Sequence, residues 1–139
     1  MTFNKRTLYS ENDLTYIRPV HINDSKLVII TDGIKSVQKS KVRCLGLQEI
    51  MDLAIYTRGK GSAYQKPQAW SFEYVEEKTG YTGPNYCYFG NDSSKDFLAP
   101  NRLGWLTICV KRCSLKFPIS PTPEYRARIE INSFDEVFV

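Results

Sequence analysis

The sequence of 139 residues is poor in histidine, since His21 is the only one. A serine-histidine-acid or cysteine-histidine mechanism would have to use this residue, and nothing around it suggests a catalytic partner. A phosphate-binding Walker loop is also missing, because the glycine-bearing segment RGKGS from Arg58 to Ser62 has the wrong spacing and follows a predicted helix instead of preceding one. These absences favour a protein without enzymatic activity.

Long apolar runs are missing as well. No run approaches the ~18 residues that a membrane span needs, and the start MTFNKR leads into polar residues, not into the apolar region of a signal peptide. We therefore expect neither a transmembrane segment nor secretion by that route. The four cysteines do not have the spacing of paired zinc knuckles, so we expect free thiols, no metal and no cofactor.

The composition indicates a folded chain. Hydrophobic residues make up 42% and aromatic residues 13%, with nine tyrosines, whereas disordered chains lack the residues that build a core. The length suits one domain. We expect a flexible amino-terminal arm over residues 1–13 and a single domain over residues 14–139.

One principal helix is predicted between Leu47 and Tyr56. Its apolar residues fall at i, i+3, i+4, i+7 and i+8, which places them on one stripe: Leu47, Ile50, Met51, Ala54 and Ile55. After a loop, Trp70, Phe72 and Tyr74 alternate with polar residues, as in a half-buried strand.

A hairpin is predicted around Asp32-Gly33, because this dipeptide separates the β-branched run 26–31 from the alternating residues 34–37. Further strands are predicted over residues 86–89, 103–110 and 125–131, and a change of phase over residues 113–117 indicates a bulge. The expected fold class is α+β, a mainly antiparallel sheet of about six strands with one principal amphipathic helix.

The basic residues are concentrated in one part of the chain. Seven lysines and arginines against two acidic residues lie between positions 35 and 66, although the whole chain carries only +4. Such a local excess is typical of a surface that binds phosphates or anionic lipid, although it also suits solubility and protection of an edge strand. The predicted basic face consists of Lys35, Lys39, Lys41, Arg43, Arg58, Lys60 and Lys66.

Tyrosines offer a second candidate surface. They supply rigid contact area at low entropic cost, so a tyrosine-rich loop can bind a protein partner. The residues chosen for this interaction loop are Tyr64, Tyr81, Tyr86 and Tyr88.

The order of parts over residues 26–117, a strand with basic residues, an amphipathic helix, an exposed loop and antiparallel strands, resembles the matrix proteins of rhabdoviruses. This resemblance implies a non-enzymatic viral structural or assembly protein, located in the host-cell cytoplasm and in the virion. It also implies self-association and contacts with nucleocapsid or an anionic membrane through the basic face.

Two other functions stay open from the sequence. In the first, the chain is a small basic nucleic-acid-binding accessory protein that holds RNA phosphates with the basic face. In the second, it inhibits a host factor through the tyrosine-rich loop. The expected partners are thus another copy of the chain, RNA or nucleocapsid, or an anionic membrane surface, and no small-molecule substrate.

Overall fold

The computed structural model describes residues 8–9, 16–17, 26–111, 122–133 and 136. They fall into two compact units, one ending at Ser62 and the other beginning at Ala63. The elements of the first unit are β1 (Leu8–Tyr9), β2 (Tyr16–Ile17), β3 (Val28–Thr31), α1 (Lys35–Cys44) and β4 (Leu53–Tyr56). Those of the second unit are α2 (Trp70–Thr79), β5 (Cys87–Gly90), α3 (Leu98–Arg102), β6 (Leu106–Val110) and β7 (Ile129–Ile131).

Parallel pairing distinguishes these sheets from the predicted ones. In the first unit β3 pairs with β4, and in the second unit the strand order is β5, β6, β7, all of them parallel. Antiparallel pairing joins the two-residue strands β1 and β2. The prediction of a mainly antiparallel α+β sheet with one principal helix is therefore wrong. Parallel strands need crossover connections of about a dozen residues or more, which are usually helical. Several segments that were predicted as strands are therefore helices.

Helix α1 occupies the place of the predicted second hairpin strand. Its sequence KSVQKSKVRC is rich in lysine, glutamine and arginine, which are good helix formers, and Val42 is its buried residue. The hairpin prediction is wrong because β3 pairs with β4, some twenty residues further along the chain, and not with the next segment. Asp32-Gly33 instead turns the chain from strand into helix.

The predicted principal helix is also wrong, since its carboxyl-terminal half is strand β4. A short apolar run does not distinguish a buried strand from a helix by periodicity alone. The register is held by Asp52, whose Oδ2 accepts a hydrogen bond from the Leu27 amide at 2.7 Å. The Asp52 amide donates in turn to the Leu27 carbonyl at 2.9 Å, which places Leu53 opposite Val28 at the start of the pair.

The predicted aromatic strand is helix α2. Ser71, Phe72 and Val75 are its buried residues, which is a helical spacing, and the rings of Trp70 and Tyr74 stack four residues apart at 5.1 Å. Residues at every second position, such as Trp70 and Tyr74, are also i, i+4 neighbours on a helix, so the alternation fits a helix as well as a strand. Gly80 ends α2 in the left-handed conformation, φ 78°.

Several strand predictions are confirmed. Strands β3, β5, β6 and β7 lie within, or within one residue of, the segments predicted from alternation or β-branched runs. His21, the predicted change of phase over residues 113–117 and most of the predicted amino-terminal arm lie outside the described residues. The expected domain division is not tested and stays a prediction. No helix in the described ranges is long and apolar enough to cross a membrane.

The core of the second unit is aromatic. Phe72 and Phe97 are fully buried and Trp105 is 3% exposed. The Phe72 ring packs edge-on against Trp105 and against Tyr88, with centroids 5.4 and 5.0 Å apart. Phe72 thus joins helix α2 to the sheet.

Replacing Phe72 with alanine should destabilise the second unit, because it removes a fully buried ring from the centre of these contacts. The expected loss in the free energy of unfolding is about 3–5 kcal/mol. Denaturant titration measures it, and Glu73→Ala, an exposed neighbour on α2, is the control. Equal stabilities of the two variants would contradict this packing.

Three cysteines in the described part of the chain are free thiols, as expected: Cys44, Cys87 and Cys109. Cys109 is buried. Although Cys87 is exposed as a residue, desolvation of its thiol raises the pKa of Cys87 to about 11. The thiol of Cys87 is therefore protonated, and a poor nucleophile, at neutral pH.

Alkylation of Cys87 by iodoacetamide should therefore depend steeply on pH. Because the thiolate is the reacting species, the rate in the folded protein should keep rising above pH 9, towards the raised pKa of about 11. In the denatured chain the rate should level off near the ordinary thiol pKa. Mass spectrometry of the Cys87 peptide measures both profiles, and superimposable profiles would be the contrary result.

Candidate functional site

The carboxyl end of β5 carries a compact set of polar residues. In parallel sheets, ligands commonly bind outside the carboxyl ends of the strands, where the connecting loops begin. Strand β5 ends at Gly90, a loop follows, and Asp96 precedes α3 with only 3% of its surface exposed. A buried carboxylate at this edge of a sheet needs partners for both of its oxygen atoms.

Asp96 obtains these partners from its own loop and from Lys66. Its Oδ2 accepts hydrogen bonds from the amides of Asn91 and Asp92, at 3.0 and 2.9 Å. Its Oδ1 lies 2.7 Å from the Lys66 ammonium. The Asp96 amide closes the loop by donating to the Asp92 carbonyl at 2.8 Å.

Lys66 is the cation of the site. Its Nζ donates to Asp96 and also to the Tyr88 hydroxyl, at 3.2 Å. The side chains of Lys66 and Asp96 are 9% and 4% exposed, so this is a buried ion pair. Such a pair is tolerated when both partners have further hydrogen bonds, as they have here.

Two other residues complete the cluster. Position 90 favours glycine, because a Cβ there would lie 2.8 Å from Asp96 Oδ2 and 2.9 Å from Asp96 Cβ. Asp92 uses its Oδ1 to accept hydrogen bonds from the amide and the hydroxyl of Ser94, at 3.0 and 2.5 Å. Its Oδ2 accepts none from the residues that the structure describes.

The first unit has its own polar group at the carboxyl ends of β3 and β4. Thr57, which is fully buried, donates through Oγ1 to Asp32 Oδ1 at 2.5 Å, and its amide donates to the Thr31 carbonyl at 3.0 Å. The hydroxyl of Thr31 accepts from the Gly33 amide at 3.3 Å. These contacts hold the turn between β3 and α1.

Three solved structures with a similar architecture are described as a phosphatase, a putative hydrolase and a dehalogenase. A HAD phosphatase from Thermococcus onnurineus is 24% identical, with a TM-score of 0.65. The putative HAD-hydrolase YfnB from Bacillus subtilis, described as bound to magnesium, is 22% identical with the same TM-score. A dehalogenase crystallised with an intermediate complex is 14% identical, with a TM-score of 0.61. No protein-family profile and no curated protein matches the sequence.

The chain has a HAD-like fold. The alignments cover 81%, 81% and 80% of this chain and 48%, 47% and 46% of the phosphatase, YfnB and the dehalogenase. The chain thus spans about half the length of these proteins. The finding concerns the fold, since all three identities are below 25%.

This likeness corrects several expectations. The resemblance to rhabdovirus matrix proteins is wrong, because a HAD-like fold with parallel sheets is shared with hydrolases. The predictions of a viral assembly protein, a nucleic-acid-binding accessory protein or a host-factor inhibitor are wrong for the same reason. So is the expectation of a chain without enzymatic activity. The expected partners are not tested and stay predictions.

The residues of the predicted basic face lie on several elements, and their role as one binding surface stays a prediction. Four of them, Lys35, Lys39, Lys41 and Arg43, lie on α1, and Arg58 and Lys60 lie in the loop after β4. Lys35, Lys39 and Arg58 line one pocket of the first unit. Lys66 belongs to the second unit, where it is the buried partner of Asp96.

The predicted interaction tyrosines are largely engaged within the second unit of the HAD-like fold. Tyr86 stacks on Trp105 with ring centroids 4.1 Å apart, and Tyr88 packs on Phe97 as well as on Phe72. Tyr64 and Tyr81 are exposed, and their rings contact Trp70 and Tyr86. Their role in binding a partner stays a prediction.

Sequence reasoning missed the pair of Lys66 and Asp96. The segment NDSSKD after β5 was given no role, and Lys66 was placed in the predicted basic face. The available signal was a β-strand ending in glycine and followed, six residues after that glycine, by an aspartate at the start of an apolar run. Only the three-dimensional arrangement brings Lys66 to this aspartate, thirty residues away.

Gly90→Ala tests whether the loop depends on a position without a side chain. The added Cβ would overlap Asp96 and displace it from the amides of Asn91 and Asp92. We expect a loss of about 1–3 kcal/mol in the free energy of unfolding, as for other overpacked sites. Thermal unfolding and amide chemical shifts measure the effect. Ser93→Ala in the same loop should change little, and equal behaviour of the two variants would contradict the geometry.

Proposed function

We propose that the chain forms part of the active site of a HAD-type hydrolase that acts on phosphate monoesters. The observation that carries this proposal is the buried ion pair of Lys66 and Asp96 at the carboxyl end of β5. A HAD phosphatase that shares the fold supports the choice of substrate class. The proposal replaces the expectation that the chain has no small-molecule substrate.

Lys66 is the residue that would bind the phosphoryl group. An ammonium held in a site with little water stabilises negative charge on a transferring phosphoryl group more strongly than it would in water. Asp96 and the Tyr88 hydroxyl fix the position of that ammonium, through contacts of 2.7 and 3.2 Å. Asp96 is a positioning residue, because both of its oxygens already accept hydrogen bonds.

The site offers one carboxylate, that of Asp92, as a ligand for a magnesium ion. Enzymes usually hold Mg²⁺ with one or two carboxylates together with substrate phosphate oxygens and water. Asp92 fits such a ligand because its Oδ2 accepts no hydrogen bond from the described residues, whereas Asp96 is already saturated. No group of three potential ligands among histidine, cysteine, aspartate and glutamate occurs in the described ranges. When bound, the ion would neutralise charge on the phosphate oxygens.

A cytoplasmic location belongs to the same proposal. The free thiols Cys44, Cys87 and Cys109 support it, since free cysteines are typical of a reducing compartment.

Hydrolysis of para-nitrophenyl phosphate, with and without Mg²⁺, tests the proposal. Lys66→Met should lower kcat/KM by roughly 10²–10³-fold, the usual effect of removing one group that stabilises developing charge. Lys111→Met is the matched control, because Lys111 also lies 2.7 Å from a carboxylate, that of Glu130, but in an exposed ion pair. Its activity should equal that of the wild type.

Stability has to be separated from activity, since Lys66→Met leaves Asp96 buried without its cation. Breaking a buried pair on one side costs about 3–5 kcal/mol, whereas replacing both partners is often neutral. The double variant Lys66→Met/Asp96→Asn should therefore regain stability and remain inactive. A double variant with wild-type activity, or a wild type that neither hydrolyses nor binds a phosphate monoester, would refute the proposal.

A further inference from the structure

An open pocket in the first unit lies beside the first turn of α1. Lys35 and Lys39 are four residues apart on α1 and therefore lie on the same face of the helix. The loop after β4 brings Arg58 to the same pocket. The residues that line it are Ile34, Lys35, Ser36, Lys39, Arg58 and Gly59.

The positive charge of this pocket is not neutralised by the described residues. None of the lining residues is acidic, and the first turn of α1 contains no acidic residue. Lys39 lies over the ring of Tyr56, 5.8 Å from its centroid. Within the described ranges no carboxylate lies within ion-pair distance of Lys35, Lys39 or Arg58. Other cations do have a carboxylate at 2.7 Å, namely Lys66, Arg102 and Lys111.

Three like charges around one pocket repel one another, and a bound anion removes that repulsion. Lysine and arginine form strong, charge-assisted hydrogen bonds to phosphate oxygens. The pocket also offers apolar surface, because Ile34 is 51% exposed and the lysine and arginine stems are aliphatic. A ligand that matches both features has a phosphate at one end and an apolar group at the other.

We propose that this pocket binds a small organic phosphate. Its phosphate lies among Lys35, Lys39 and Arg58, and its apolar part covers Ile34. The pocket is formed by residues of the first unit, whereas Lys66 belongs to the second. The inference does not rest on the proposed hydrolase activity.

Phenylphosphonate is a suitable probe, because its carbon-phosphorus bond resists phosphatases. Titration of the 139-residue chain, followed by amide chemical shifts, should move the signals of residues 35–39 and 58–59. Affinity should fall as ionic strength rises, since the exposed cations are screened. Phenol, which lacks the charge, should not bind, and inorganic phosphate should bind more weakly than the phosphonate.

The deciding variant replaces Lys35, Lys39 and Arg58 with glutamine. All three are exposed, so folding should be preserved, and affinity should fall by about tenfold for each cation removed. The matched control replaces Lys26, Arg43 and Lys78, exposed cations outside the pocket, and loses the same charge. It should bind like the wild type.

Other outcomes would overturn the inference. Equal loss in both triple variants would indicate attraction by net charge alone. Signals that move only at residue 66 and residues 90–96 would place the anion at the Lys66 cluster instead. If phenylphosphonate did not bind, the proposed site would be refuted. If inorganic phosphate bound with the same affinity as phenylphosphonate, the proposed contact with Ile34 would be refuted. The phosphatase assay stands apart, because it follows turnover at Lys66.

Discussion

A buried lysine needs a negative partner, and much of the second unit follows from that requirement. Lys66 has Asp96 as this partner, and Asp96 in turn needs the amides of Asn91 and Asp92. The loop after β5 therefore closes tightly around one carboxylate, and Gly90 leaves the space for it. A charge buried on one segment thus dictates the backbone of another, thirty residues further along the chain.

The two groups of basic residues differ in their surroundings. Lys66 is almost enclosed and is held by Asp96 and Tyr88, which suits the phosphoryl-binding role that we propose for it. Lys35, Lys39 and Arg58 are exposed and can adjust to a ligand, as suits reversible binding. Lys66 thus differs from the other three residues in its burial and in its ion pair, although all four were predicted to belong to one basic face.

The sequence predicts part of this fold for clear physical reasons. The strands at β3, β5, β6 and β7 are short β-branched or alternating runs, whose local preference agrees with their final place. Segment 70–79 misleads because its aromatic residues fit a period of two as well as the i, i+4 contacts of a helix. Parallel pairing was missed because it depends on distant segments. Asp32-Gly33 favours a turn, and here that turn leads from β3 towards α1, whose N-cap is Ile34.

The site was less accessible to sequence reasoning than the strands. Asp96 is one of several acidic residues in a polar stretch, and only its burial distinguishes it. Lys66 was chosen as a basic residue, but its partner could not be identified, because no local pattern records a contact between residues 66 and 96.

Both tryptophans of the sequence, Trp70 and Trp105, belong to the second unit. Intrinsic tryptophan fluorescence will therefore originate in the second unit. The Trp105 indole is buried and donates to Glu76 Oε1 at 2.7 Å, whereas Trp70 is only half-buried. The emission of Trp105 should therefore lie at shorter wavelength than that of Trp70. The two signals offer separate spectroscopic probes of the aromatic core and of the surface of α2.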